Sequence, residues 1–249
     1  MKKKENNREK INIFLKPANS ASFHMQTDEH LLKNLANDKR PVLHFYDWIQ
    51  DSATYGYFIK PEKYLNLEQV RLKKLELARR PTGGGIVFHL ADLAFSVLLP
   101  ETHPHFSLNT MQNYAFINEI VKDAVVKFMG KGFSFGLLKQ EPLKELVEEA
   151  LGASSFCMAK PTKYDVILNG KKVGGGAERL TKSGLLHQGT VSLGLPADDY
   201  LKDVLQETGI LACMKKNSCL LLGENASQET FQEAKKELKQ LLVDAFFTN

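Results

Sequence analysis

"YDVILNGKKVGGGAER", Tyr164 to Arg179, is the stretch that decides how this chain folds. Asn169-Gly170 is a pair that a two-residue type I′ turn favours, because both central residues there take positive φ. A β-rich apolar run precedes the pair and a second run follows it, so the stretch predicts an antiparallel hairpin. With Leu168 opposite Lys171, Val166 falls opposite Val173 on one side. Asp165, Ile167, Lys172 and Gly174 share the other. The first side is expected to be core. The second puts Lys172 beside a strand stripped of side chains, where its compact three-donor ammonium would seat an anion. An exposed hairpin lysine is nonetheless the common case, and the residues alone leave both readings open.

Three glycines in a row cost backbone entropy, and a fold keeps them only where the chain bends or packs closely. A second triplet stands upstream in "RRPTGGGIVFH", Arg79 to His89. At about 7% glycine, one triplet is expected roughly once in a dozen chains of this length, so two ask for a cause. Arg79, Arg80 and the free N–H groups of the bend would form a concavity for carboxylate or phosphate. The competing reading is a plain glycine bend with two surface arginines. No Lys-Ser or Lys-Thr follows, so this is not a Walker loop, and the spacing is not a dinucleotide fingerprint. His89, inside an apolar run, reads first as a core histidine. Cys157, in the Pro-bearing loop "SSFCMAKPTKYD", is either a small buried hydrophobe or a nucleophile beside a lysine.

The rest of the chain frames these motifs. It has 249 residues, 43% hydrophobic and 25% charged, a composition that supports a real core. Its net charge of +4 is too mild to argue for nucleic acid and compatible with an acidic protein partner. No apolar run reaches the roughly 18 residues of a membrane span, and the basic N-terminus lacks the apolar stretch of a secretory signal. The three cysteines form no CxxC pair, so a reducing, cytoplasmic setting with free thiols is expected. Residues 1–10 are polar and expected to be disordered.

"INIFLK" reads as a strand. "SFHMQTDEHLLKNLAND", "LNLEQVRLKKLELA", "HFSLNTMQNYAFINEIVKDAVVKFMGKG", "PLKELVEEALGA" and "SQETFQEAKKELKQLLVDAFF" read as helices. "PVLHFYDW", "SATYGYFIK", the two halves of "GGIVFHLADLAFSVLLP" and "GLLHQGTVSLGLP" read as strands. This order predicts an α+β fold, a mixed and largely antiparallel sheet with helices packed on one side, in a single domain over residues 11–249.

Together these segments resemble the superfamily of lipoate–protein ligases, octanoyltransferases and biotin protein ligases. "RRPTGGGIVFH" is similar to that family's arginine, glycine-turn and histidine signature, and "DVILNGKKVGGGA" to its lysine hairpin. "FHMQTDEHLL", "LHFYDWIQDSATYGYF" and "LLHQGTVSL" follow in the family's order. The resemblance implies that the two glycine segments line one acyl tunnel whose carboxyl end meets a lysine. It assigns Arg80, Thr82, Gly83, Gly84, Gly85, His89, Gly174, Gly175, Gly176, Ala177, His187 and Gly189 to the acyl or acyl-adenylate pocket. Lys172 becomes a catalytic residue at the carbonyl or phosphate, and no resident metal is implied.

"CMAKPTKYDV" is similar to the loop of the cysteine-dependent octanoyltransferase branch, with Cys157 at the nucleophile. That branch implies no cofactor. It takes an octanoyl group from octanoyl-acyl carrier protein and passes it to a lysine of a lipoyl domain, in a 2-oxoacid dehydrogenase or a glycine-cleavage H protein. The alternative branch is an ATP-dependent lipoate–protein ligase. It would use free lipoate or octanoate with ATP and Mg²⁺, without Cys157, and it often carries an accessory domain, which is not expected here. A third reading is a non-catalytic lipoate or lipoyl-domain binder. The chain departs from the family pattern at His187-Gln188, at Gly176 where serine is common and at Leu90 where an acid or amide is common.

Overall fold

In the computed structural model, Asn169 and Gly170 take φ of 51° and 78°, as a type I′ turn requires. They join β8 (Val166–Leu168) to β9 (Lys171–Thr181). The structure describes residues 11–140, 151–223 and 226–248. The segment 1–10, and residues 142–150 of the helix expected in "PLKELVEEALGA", lie outside them. Ala153–Ser155, at its end, form one 3₁₀ turn.

β9 and β10 (Gly184–Ser192) pair antiparallel, and β10 pairs in turn with β6 (Asp92–Pro100). β2 (Val42–Tyr46), β1 (Asn12–Phe14) and β7 (Phe135–Leu137) complete a seven-stranded sheet in the order β1-β2-β6-β10-β9-β8-β7, parallel only between β1 and β2. Every residue of β6 and β10 is buried, which requires cover on both faces. On one face α3 (Thr110–Met129) and α6 (Gln228–Thr248) place Ile117, Val121, Leu238 and Leu242 against Phe95, Val97, Leu185 and Val191. On the other, α1 (Ala21–Asp38) packs Leu32 and Leu35 on Leu98 and Leu186.

The helices therefore flank the sheet on both sides, a correction to the one-sided arrangement expected. Beside α1 lies a second sheet, β4 (Glu76–Arg79), β3 (Ser52–Tyr55) and β5 (Ile86–Phe88), in the order β4-β3-β5. "LNLEQVRLKKLELA" is helical only over α2 (Leu67–Leu72), capped by Asn66. Lys74 turns to φ 53°, and the rest becomes β4, because pairing with β3 outweighs a helical pattern. Two short helices not legible in the sequence, α4 (Asp198–Val204) and α5 (Gly209–Asn217), close a second core with Ile86, Phe88 and Phe156. Residues of both sheets line one cavity beside the two glycine motifs.

Candidate active site

The hairpin register departs from expectation at one point, and that point makes the site. Leu168 pairs with Lys171 and Ile167 with Lys172, but Val166 then pairs with Gly174. Val173 is the extra residue of a β-bulge, which re-aims the side chains around it. Val173 enters the main core with Val166, while Lys172 and Ala177 line the same cavity. Residues five apart would lie on opposite faces of a regular strand. Lys172 is only 4% exposed, so the solvated-hairpin reading is corrected. Its Nζ pairs with Asp165 Oδ2 at 2.8 Å. Asp165, fully buried, also accepts from Thr162 N–H at 2.7 Å, Thr162 Oγ1 at 3.0 Å and the Tyr114 hydroxyl at 2.5 Å.

The first triplet arrives from the opposite sheet. Arg80, buried, donates to Thr54 Oγ1 at 2.8 Å and to the carbonyls of Gly83 at 3.1 Å and Gly85 at 2.6 Å. Burial pulls its pKa below the usual arginine value, against the attraction of Cys157 and Tyr46. Gly84 has φ +82°, and a Cβ there would touch the Arg80 guanidinium, the Ala177 methyl and Cys157 Sγ. A Cβ on Gly85 would collide with the Ser155 carbonyl, so this glycine lets the cysteine loop lie on the strand. There Cys157 N–H donates to Ile86 O at 3.1 Å, and Gly85 N–H donates to Cys157 Sγ at 3.2 Å.

A narrow cavity of about 30 Å³ lies between these two motifs. Its wall contains a chain of buried hydrogen bonds. Arg80 donates to Thr54, Thr54 Oγ1 lies 2.7 Å from His89 Nε2, and His89 Nδ1 lies 2.7 Å from Asp92 Oδ2. The chain closes when His89 carries its proton on Nδ1. A second network reaches in from α1. Gln188 Nε2 donates to Asp28 Oδ2 at 2.7 Å, while Gln188 Oε1 accepts from Thr82 Oγ1 at 2.8 Å. Tyr46 also donates to Asp28, and its pKa is raised well above the ordinary tyrosine value by burial and by that carboxylate.

Of the predicted residues, Arg80, His89, Cys157, Lys172, Gly175, Gly176, Ala177 and Gly189 line the cavity. Gly84 faces it through its missing side chain. Thr82 acts one step behind, through Gln188. Gly83 faces open space, Gly85 backs onto the cysteine loop, and Gly174 packs on the Thr190 carbonyl. His187 does not line the cavity. Strand alternation sends it to the opposite face, where its Nδ1 lies 3.1 Å from Glu178 Oε1 and its ring lies beside Phe95 and Tyr114. Gln188, beside it, takes the cavity position.

Sequence reasoning also missed Met25, Tyr46 and Thr54 in the lining, and Asp28, Tyr114 and Thr162 behind it. An acid beside the Cys-Pro loop could have flagged Asp165. Nothing in an amphipathic helix marks Tyr114. Among the described residues no group of three or more His, Cys, Asp or Glu side chains could hold a metal ion, and no helix is long and apolar enough to cross a membrane. A wider groove beside α6, lined by Lys235, Lys239 and Trp48, shares only His89 with this cavity.

The fold is similar to that of lipoate protein ligases. A crystal structure of lipoate-protein ligase A bound with ATP superimposes with a TM-score of 0.65 at 20% identity, over 96% of this chain and 96% of that one. The bi-partite lipoate protein ligase of Thermoplasma acidophilum gives 0.65 at 19% identity, over 97% and 94%. Residues 20–242 match the lipoyl protein ligase A/B catalytic domain, and the chain belongs to that family. Among curated proteins it is similar to the octanoyltransferase LipM of Bacillus cereus, 31% identical over 182 residues, and to that of Bacillus subtilis, 30% identical over 229. These matches cover 72% and 89% of this chain. The match spans 64% of the length of the Bacillus cereus relative and 81% of the Bacillus subtilis one.

Proposed function

We propose that this chain is an acyltransferase of protein lipoylation, carrying an octanoyl group through a thioester on Cys157. The observation that carries the reading is the meeting of Cys157 Sγ, the Gly85 N–H and the buried Lys172 ammonium around one narrow cavity. A sulfur that accepts the Gly85 N–H, at a bend whose carbonyls bind the buried Arg80 guanidinium, suits a nucleophile.

In the first step the Cys157 thiolate attacks the carbonyl of an octanoyl thioester borne by an acyl carrier protein. A carbon–sulfur bond forms to Cys157, the donor's carbon–sulfur bond breaks, and the donor leaves as a thiolate that takes a proton from solvent. Lys172 donates to the carbonyl oxygen as it becomes negative. In the second step the neutral ε-amine of a lipoyl-domain lysine attacks the acyl-cysteine. The amide forms, the amine proton is lost to solvent and Cys157 leaves as thiolate. Neither step consumes ATP. The cysteine-loop resemblance and the octanoyltransferase relatives support this reading over the ATP-dependent one.

Cys157→Ser tests it, because a serine hydroxyl is a far weaker nucleophile at neutral pH. The wild type, mixed with octanoyl-carrier protein alone, is expected to gain one octanoyl mass that hydroxylamine removes. The serine variant is expected to fold, gain nothing and transfer nothing. Full activity of the serine variant with octanoate, ATP and Mg²⁺, with no adduct on the wild type, would replace this reading by the ligase one.

A further inference from the structure

Neither glycine motif contains the residue that holds the Lys172 counter-ion in place. Tyr114 sits in the first turns of α3 and is 7% exposed. Its hydroxyl oxygen accepts the Gly176 N–H at 2.8 Å and donates its one proton to Asp165 Oδ1 at 2.5 Å. One oxygen thus joins the backbone of the cavity-lining strand to the carboxylate that pairs with Lys172. Asp165 is fully engaged: Tyr114 on Oδ1, and Lys172 with both Thr162 donors on Oδ2.

Such a carboxylate cannot swing. A lysine side chain is otherwise a long flexible stem, and pairing with a fixed anion aims one of its three donors and leaves two for the cavity. Gly175 is part of the same device, since a Cβ there would collide with Asp165 Oδ1 and crowd the Tyr114 hydroxyl. Burial and the Asp165 charge together raise the Tyr114 pKa well above its ordinary value, which keeps the hydroxyl a neutral donor.

We propose that Tyr114 and Asp165 are positioning residues for Lys172, Tyr114 acting through Asp165 to aim the ammonium at the acyl carbonyl. The inference rests on the role given to Lys172 in the proposed reaction. Its test is a double-variant cycle on the full chain, read as the single-turnover rate of Cys157 acylation and the KM for octanoyl-carrier protein. Tyr114→Phe removes one oxygen and keeps the ring. It is expected to slow acylation about 10- to 100-fold, the scale of a small misplacement of a reacting group, with the donor KM changed less than about threefold. Asp165→Asn is expected to slow it at least as much. The double variant is expected to match Asp165→Asn within about twofold, because a residue that acts through another adds nothing once that one is lost.

A purely structural tyrosine would leave the two losses multiplying, and that result would overturn the proposal. So would a Tyr114→Phe rate within about twofold of wild type. Should Tyr114→Phe not fold, Thr162→Val with Asp165→Asn poses the same question from the other carboxylate oxygen, with the same non-multiplying outcome expected. If the wild type forms no thioester but acylates a lipoyl domain with octanoate, ATP and Mg²⁺, the Cys157 reading has failed. The cycle then runs in that assay, where Lys172 is still required, and tests the positioning role alone.

Discussion

The two glycine triplets look alike in the sequence and do different work. Gly83–Gly85 form an irregular bend between β4 and β5, and their three missing side chains face three different surroundings: open space, the cavity and the Ser155 carbonyl. Gly174–Gly176 lie inside strand β9, just past its bulge, paired to β10 through Val191, Thr190 and Gly189. There the missing side chains make room for neighbours already in place, the Thr190 carbonyl, the Asp165–Tyr114 pair and His187. One triplet shapes a bend; the other makes room inside a strand for side chains and for the carbonyls of Thr190 and Gln188. A glycine motif therefore reports that something comes close, and the fold decides whether that is a loop, a ligand or a buried ion pair.

The sharpest break in this comparison is Gly85→Ala. Its Cβ would meet the backbone of Ser155, which cannot turn aside as a side chain can. Overpacking of this kind costs about 1–3 kcal/mol, a fall in Tm of roughly 2–12 °C for a domain of this size. Because the displaced segment carries Cys157, thioester formation is expected to disappear with it. Calorimetry and intact mass read both effects, and an unchanged Tm would refute the close approach.

Gly175→Ala is expected to act on activity more than on stability. The new methyl would press on the Asp165 carboxylate and the Tyr114 hydroxyl, and forcing that pair out of place would spoil the Lys172 aim. A kcat loss of roughly 10- to 100-fold with a smaller Tm change than Gly85→Ala is the expected pattern. A larger Tm loss in Gly175→Ala than in Gly85→Ala would reverse the contrast between the two triplets.

The smallest effect belongs to Gly83→Ala. Nothing lies within 4 Å of a Cβ there and its φ is ordinary. Stability is expected within about 0.5 kcal/mol of wild type and transfer within about twofold. A large loss would show that this glycine meets a bound donor or acceptor, and would return it to the acyl-pocket residues.

Much of this was legible in the residues themselves. Asn169-Gly170 specified its turn because only a few residue pairs tolerate two successive positive φ values. α1, α3 and α6 announced themselves through apolar periodicity, and Ser20, Asn109 and Ser227 accept backbone N–H groups at their starts. The family resemblance and the order of its motifs placed Arg80, Cys157 and Lys172 at one site. What remained hidden depended on partners distant in the chain. β4 lies in a helical pattern and became a strand only because β3 was there to pair with it.

By itself, then, the sequence determined the turn, the long helices and the residue types available for chemistry, since these follow from local dihedral preference and periodicity. Only the tertiary structure decided which of those residues meet. The bulge at Val173 turned Lys172 inward, strand alternation sent His187 away from the cavity and Gln188 into it, and a tyrosine 58 positions before Lys172 came to hold its counter-ion. The reason is physical: a buried charge is tolerable only when its partners are already in position. Those partners, Tyr114, Thr162 and Asp165, come from a helix, a loop and the residue before β8, and only the packed chain brings them together.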